Sequence, residues 1–221
     1  LRGLRPRPAA SPPAGGGGAD GGGGVRRAWL PRATAGGAEQ VQCLDGPAGE
    51  RRLPEQELAW LDGYEGAKPV RIGNAASNQF QLDVYGEVID SLYQTRLAGA
   101  PEEPMVHRLE IALMEFLEGN WREPDEGIWE VRGPRRNFTH SKVMAWVAAD
   151  RAVKSVEQFN LSGPVDRWRR LSDDIREEVL AQGYDAERKT FTQSFGRPEL
   201  DASLLMVPLV GFLPASDERV M

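Results

Sequence analysis

The sequence predicts an all-α domain over residues 38–221, preceded by a disordered Gly/Pro-rich N-terminal tail over residues 1–37. Three observations carry the prediction. Apolar residues recur every three to four positions in several long stretches, as one face of a helix requires. One stretch, Val143–Ala149, is apolar nearly all round, as a helix buried on more than one side would be. No segment shows the strict apolar/polar alternation of a half-buried strand.

The elements follow in order. Residues 1–37 contain the tracts Gly15–Gly18 and Gly21–Gly24 and the prolines Pro6, Pro8, Pro12 and Pro13. Such a stretch buries too little apolar surface to offset its ordering entropy. Two alternatives for it are a basic arm for an acidic partner and a stretch that is not native coding sequence. Residues 38–76 are polar and rich in turn formers, and are expected to be a long ordered loop with short helical turns at Glu55–Trp60. A loop of that length in a compact domain is usually functional.

Helices are then expected at 77–94, where Phe80, Val84, Val88 and Leu92 form a stripe, and at 104–118, opened by Pro104 and lined by Met105, Leu109, Leu113 and Phe116. In the first of these, Gln79, Asp83 and Glu87 form a second, polar stripe. Further helices are expected at 139–159 and at 164–182, the latter marked by Val165, Trp168, Leu171, Ile175 and Val179 between Pro164 and Gly183. A last apolar helix begins at 199–207 and is interrupted by Pro208 and Pro214.

Composition narrows the function. Net charge is −6, and residues 1–40 hold six Arg against Asp20 and Glu39, a local +4, so the remainder carries −10. That is not the clustered basic face of a nucleic-acid binder. A single cysteine, Cys43, allows no disulfide within the chain, and two distant histidines make no zinc site. No apolar run approaches the ~20 residues of a membrane span. No secretory signal is legible, so a cytoplasmic location is expected.

The stretch richest in chemistry is Pro124-Asp125-Glu126-Gly127-Ile128-Trp129-Glu130-Val131-Arg132-Gly133. It places a carboxylic acid beside a tryptophan, with an arginine two residues on. Sugar sites use these parts. An aromatic face stacks on a pyranose. A carboxylic acid with a raised pKa protonates the leaving oxygen, and burial against an indole supplies such a pKa. The plain alternative is an acidic surface loop anchored by one Trp.

The segment Asp125-Glu126-Gly127-Ile128-Trp129-Glu130 resembles the general-acid loop of glycoside hydrolase family fifteen, which includes glucoamylases and some bacterial trehalases. The resemblance continues upstream in Gly49-Glu50-Arg51-Arg52-Leu53-Pro54-Glu55, Leu61-Asp62-Gly63-Tyr64-Glu65-Gly66, Pro69-Val70-Arg71-Ile72-Gly73-Asn74-Ala75-Ala76 and Gln79-Phe80-Gln81-Leu82-Asp83-Val84-Tyr85-Gly86-Glu87. Downstream it includes Phe138-Thr139-His140-Ser141-Lys142-Val143-Met144-Ala145-Trp146, Asp150-Arg151-Ala152 and Leu200-Asp201-Ala202-Ser203. These matches cover residues 38–220 in the family's order.

The resemblance implies a partial (α/α)6 barrel, about half of the helices, with the active site in the cavity at one end. It makes Glu130 the general acid and puts Trp129 at the subsite of the sugar being cleaved off. Ile128, Asn74, Gln79, Asp83 and Arg132 complete the candidate substrate-binding set. Each has a structural alternative: Asn74 and Gln79 as helix caps, Asp83 and Glu87 as a solvated face. Arg71 is expected to serve in a salt bridge. His140 is expected to be a satisfied structural residue; the alternative for it and Lys142, just after the acid loop, is to orient the acid or a substrate hydroxyl. Trp146 and Trp168 are expected in the core, and Trp121 and Trp60 as core or loop anchors, with sugar stacking as their alternative.

Three family features are missing. The family's early Trp-Leu-Arg-Asp motif has only a faint echo in Trp29-Leu30-Pro31-Arg32-Ala33-Thr34, which lacks the Asp. No N-terminal β-sandwich is legible. The catalytic base belongs to a late segment expected beyond Met221. The implied function is inverting hydrolysis of an α-linked glucoside, trehalose or a maltose-type oligosaccharide, with no cofactor and a small carbohydrate as partner. These 221 residues alone are expected to be inactive. The alternative is a non-catalytic helical or sugar-binding remnant.

Overall fold

The computed structural model describes Gly37, Ala38, Val41, Gln42, Glu50 and residues 52–220. The predicted tail, Trp29–Thr34 and Cys43 lie outside the described residues. Five helices organise the rest: α1 (Asp83–Leu97), α2 (Pro104–Asn120), α3 (Thr139–Phe159), α4 (Val165–Gln182) and the short α5 (Met206–Leu209). The all-α class predicted from the stripes holds.

Helix α3 is the centre. Fourteen of its 21 residues are buried, because α1 and α4 both pack along it and α2 and α5 touch it. This is what the unbroken apolar run Val143–Ala149 dictates: no face is left for water. Gly86 lets α1 approach closely, since a Cβ there would stand 2.3 Å from the Met144 carbonyl oxygen. Trp121, Trp146 and Trp168 are core residues, as expected. Trp146 meets Phe212 edge-on at 5.1 Å between ring centroids, and Tyr85 stacks on Phe116 at 5.3 Å.

Three expectations about local structure are corrected. Residues Glu55–Trp60 form no helical turns: Gln56–Glu57 (β1) pairs antiparallel with Arg71–Ile72 (β2), in register Gln56 with Ile72. A second two-stranded ribbon joins β3 (Tyr184–Asp185) to β4 (Thr190–Phe191). Strands of two residues are too short to show alternation. The first helix also starts at Asp83 and not at 77. Residues Ala75–Asn78 form a 3₁₀ turn capped by the Asn74 side chain, and Gln79 is extended (φ −80°, ψ 149°). Gln79 therefore shares no helical face with Asp83 and Glu87. The residue 199–207 helix resolves into a 3₁₀ turn, Ala202–Leu205, followed by α5.

The helices are clamped at one buried ion pair. Arg96 of α1 is 5% exposed and Glu110 of α2 is 1% exposed. Their two hydrogen bonds measure 2.6 and 3.1 Å, and the same guanidinium reaches Ser155 of α3 at 3.0 Å and Glu102 at 2.8 Å. All three helices thus meet on one cation. Elsewhere the apolar side chains of Leu205 and Leu209 on the final turn are exposed. No helix among the described residues is long and apolar enough to cross a membrane.

Removing one partner of a buried pair strands the other charge. Glu110→Ala is therefore expected to destabilise the fold by about 3–5 kcal/mol. Glu102→Ala, at the half-open edge of the cluster, is expected to cost about 1 kcal/mol or less. Urea denaturation of the two variants beside the wild type checks the order.

Candidate active site

The loop carrying Glu130 is held at its base by two consecutive acids. The Asp125 carboxylate is fully buried and accepts the Leu82 backbone N–H at 3.0 Å. The Glu126 carboxylate accepts the Phe80 N–H at 2.8 Å and is gripped by Arg135 at 2.9 Å. Both donors lie just before α1, where backbone N–H groups lack helical partners and an anion is favoured. That competition is also why the helix does not extend back to residue 77.

Asp125 and Arg136 exchange backbone hydrogen bonds at 3.0 Å each, which closes the loop. Inside it, Gly127 has φ +69°, and a Cβ there would lie 2.7 Å from the Phe138 ring. Glycine is therefore required on two counts. Glu130 itself has φ +52°. A non-glycine residue in the left-handed region is held there by its surroundings, and such residues concentrate at functional sites. Its N–H donates to the Gly127 carbonyl at 3.0 Å, and the Val131 N–H donates to Glu126 at 3.2 Å.

At the loop tip Ile128, Trp129 and Glu130 are all exposed. Within the described residues no indole buries the Glu130 carboxyl, contrary to the environment expected for it. The Trp129 indole is anchored nonetheless. Its N–H points between the two carboxylate oxygens of Asp201, 2.9 Å from each. Asp201 also accepts from Gln193 Nε2 at 2.8 Å and from the Ser203 N–H at 2.7 Å. Burial works against this charge, but the bonds from Gln193, Ser203 and Trp129 hold the Asp201 carboxyl below its ordinary range.

A short extended segment before α3 brings these parts together. Arg136 pairs with Asp125 on one side, and Phe138 pairs with Ser194 on the other. The Thr139 N–H donates to the Gln193 carbonyl at 2.9 Å and the Phe195 N–H to the Asn137 carbonyl at 3.0 Å. The acid loop and the Asp201 segment are thus neighbours across one piece of backbone.

The remaining candidates are placed as follows. Arg132 makes a two-pronged pair with Glu55 at 2.7 and 3.0 Å, and the Glu55 carboxyl is held down by it. The acid loop is thereby tied to the β1–β2 ribbon. Arg71 of β2 pairs with Glu57 at 2.9 Å and lies 3.4 Å from Glu55, the salt-bridge role expected of it. Asn74 accepts the Ala76 N–H at 2.8 Å, and Gln79 accepts from Gln81 at 3.0 Å. Trp60 is exposed and lies outside the core.

Asp83 is buried, where a solvated face was the alternative, while Glu87 on the next turn is exposed. Burial, and then the facing charge of Asp125, push the Asp83 carboxyl up to about 7. Burial pushes Asp125 up as well. Lys142 is wholly buried, donates to the carbonyls of Trp121 and Glu123 at 2.6 and 2.7 Å, and is brought down to about 8 by burial. His140 is buried and lowered to about 4 for the same reason. Neither of its ring nitrogens has a hydrogen-bond partner among the described residues, so it is not the satisfied histidine expected.

Asp201, Gln193, Asp125, Glu126 and Glu55 had no assigned role before the fold was known. Asp201 stands in a recognised motif and Asp125-Glu126 in the acid segment itself, but nothing in one dimension signals what a carboxylate reaches 40 or more residues away.

The model of the family described as glycosyl hydrolases family 15 matches residues 25–221. The chain is 46% identical over 183 residues to a trehalase of Mycobacterium tuberculosis, covering 81% of this chain and 26% of that protein. It is 43% identical to a trehalase of Mycolicibacterium smegmatis, covering 85% and 28%, and 36% identical to one of Thermoplasma volcanium, covering 76% and 27%. The chain thus spans about a quarter of the length of these relatives. A solved wild-type glycosidase matches with a TM-score of 0.55 at 20% identity, over 71% of this chain and 43% of that one. At that identity the likeness speaks to fold alone.

The folded chain binds the Asp83 proton more tightly than the unfolded chain, whose aspartates titrate near 3.9. The stability this contributes is full below about pH 4 and lost as the pH rises through about 7. His140 has the opposite sign: its contribution is present above about 6.5 and lost as the pH falls through about 4. Asp83→Asn is therefore expected to gain on the wild type by on the order of 3 kcal/mol between pH 4 and 8, and to leave a steeper acid-side loss. Unfolding curves at each pH check this; a difference independent of pH would refute the buried-acid account.

Proposed function

The chain belongs to glycosyl hydrolases family 15, and from that premise we propose that it carries the general-acid side of an active site that hydrolyses trehalose with inversion at the anomeric carbon. Glu130 is the acid, donating a proton to the leaving glycosidic oxygen. Trp129 offers its exposed face to the sugar ring.

The observation that carries the reading is the backbone of Glu130. A charged side chain at the tip of a loop is held in a left-handed conformation, beside an exposed tryptophan whose N–H is fixed by Asp201. A surface loop with no task has no need of either constraint. The trehalase names of several relatives support the substrate, with maltose-type oligosaccharides as the runner-up.

An inverting glycosidase needs a second carboxylate about 6.5–9.5 Å from the first to activate water on the opposite face of the ring. We place that base in the part of the relatives' length that this chain does not span. The same part would cover Glu130 and shut water out around it.

Glucose release from trehalose and maltose tests the reading. The 221-residue chain is expected to release none. A chain of the relatives' full length is expected to release glucose, and Glu130→Gln to lower kcat by about 10²–10⁴-fold. Release by the short chain that disappears with Glu130→Gln would put the base within these residues. Release by the long chain that survives Glu130→Gln unchanged would overturn the acid assignment.

A further inference from the structure

We infer that Asp201 is a positioning residue, which sets the plane of the Trp129 indole and the side chain of Gln193 for the sugar; the inference rests on the reading of the acid loop given above. Trp129 is 58% exposed. A largely exposed indole without a hydrogen bond is free to rotate about two side-chain bonds, and a stacking surface needs one fixed orientation. The Asp201 carboxylate removes that freedom by taking the N–H between both oxygens, at 2.9 Å each, across 72 positions of sequence.

The carboxylate is itself fixed. The Ser203 N–H at 2.7 Å makes Asp201 the cap of the following 3₁₀ turn, and Gln193 Nε2 holds the outer oxygen at 2.8 Å. Gln193 is held in turn through its backbone, its N–H donating to Glu199 at 2.7 Å and its carbonyl accepting from Thr139 at 2.9 Å. One anion therefore ties a loop tip, a helix start and a second polar side chain into a single rigid edge. With its N–H engaged by Asp201, the indole offers the sugar its ring face. With Nε2 engaged by Asp201, Gln193 keeps its amide oxygen as an acceptor suited to a sugar hydroxyl.

The test has two parts. In the 221-residue chain labelled with ¹⁵N, the indole N–H resonance of Trp129, assigned by its loss in Trp129→Phe, is expected to be slowed in solvent exchange. Asp201→Leu is expected to shift it and abolish the protection, while Asp201→Asn, which keeps an acceptor oxygen, retains most of both. An indole signal indifferent to Asp201→Leu would overturn the tether.

The second part is a double-variant cycle on kcat/KM for trehalose, in the shortest chain containing these residues that turns it over. Asp201→Leu is expected to lower kcat/KM roughly 10- to 100-fold, as misplacement of a binding surface does. Asp201→Asn restores most of the loss. The loss from Asp201→Leu and Trp129→Phe together is expected to be well below the product of the two separately. A full product would mean that Asp201 acts only through fold stability, and would overturn the positioning role. Absence of turnover in every chain length would instead defeat the trehalose reading, with the indole measurement still deciding the tether.

Discussion

The buried carboxylate of Asp125 is the constraint from which the site is built. It accepts the Leu82 N–H at the start of α1, while its backbone exchanges hydrogen bonds with Arg136. One residue thus fixes where the first helix begins, where the acid loop departs and how the loop closes. The carboxylate meets the positive end of α1, which favours an anion, but it also faces Asp83 in a place almost shut off from water. Two acids cannot both be cheaply ionised there, and the Asp83 carboxyl is pushed up to about 7.

Around that hook the loop is tethered at three further points, each to a different stretch of chain. Glu126 ties it to Phe80, Arg132 to the β1–β2 ribbon through Glu55, and Trp129 to Asp201. Each of these tethers is polar, a carboxylate meeting a backbone N–H, a guanidinium or an indole N–H. The helices supply a rigid frame, centred on α3 and locked by Arg96 and Glu110, and the polar contacts distribute the candidate site side chains over that frame. The arrangement follows a general division of labour: packed elements give stiffness, and loops fixed upon them carry function.

The frame was legible where burial is extensive. Val143–Ala149 announced a helix with no wet face, and Thr139–Phe159 is that helix, residue for residue. The 164–182 stripe was equally clear because one face is apolar and the other charged. The beginning of α1 was not, since Phe80 and Leu82 continue the apolar rhythm while their N–H groups are taken by acids more than 40 residues later. The β1–β2 ribbon was missed for a related reason: a strand of two residues carries no period, and its partner alone makes it a strand.

Of the site, the sequence by itself determined the chemistry: a carboxylic acid next to a tryptophan, in a segment that resembles one family's acid loop, within an all-α frame written in apolar spacing. Residue type and short-range order suffice for that. Tertiary structure decided the geometry and the state of each group. It exposed Trp129 and Glu130, paired Arg132 with Glu55, capped a turn with Asn74, buried Asp83 with Asp125 and left His140 neutral, without a hydrogen-bond partner among the described residues. A hydrogen bond between distant carboxylates and amides, and the loss of water that moves a pKa, depend on what the chain brings alongside, and no local pattern encodes either.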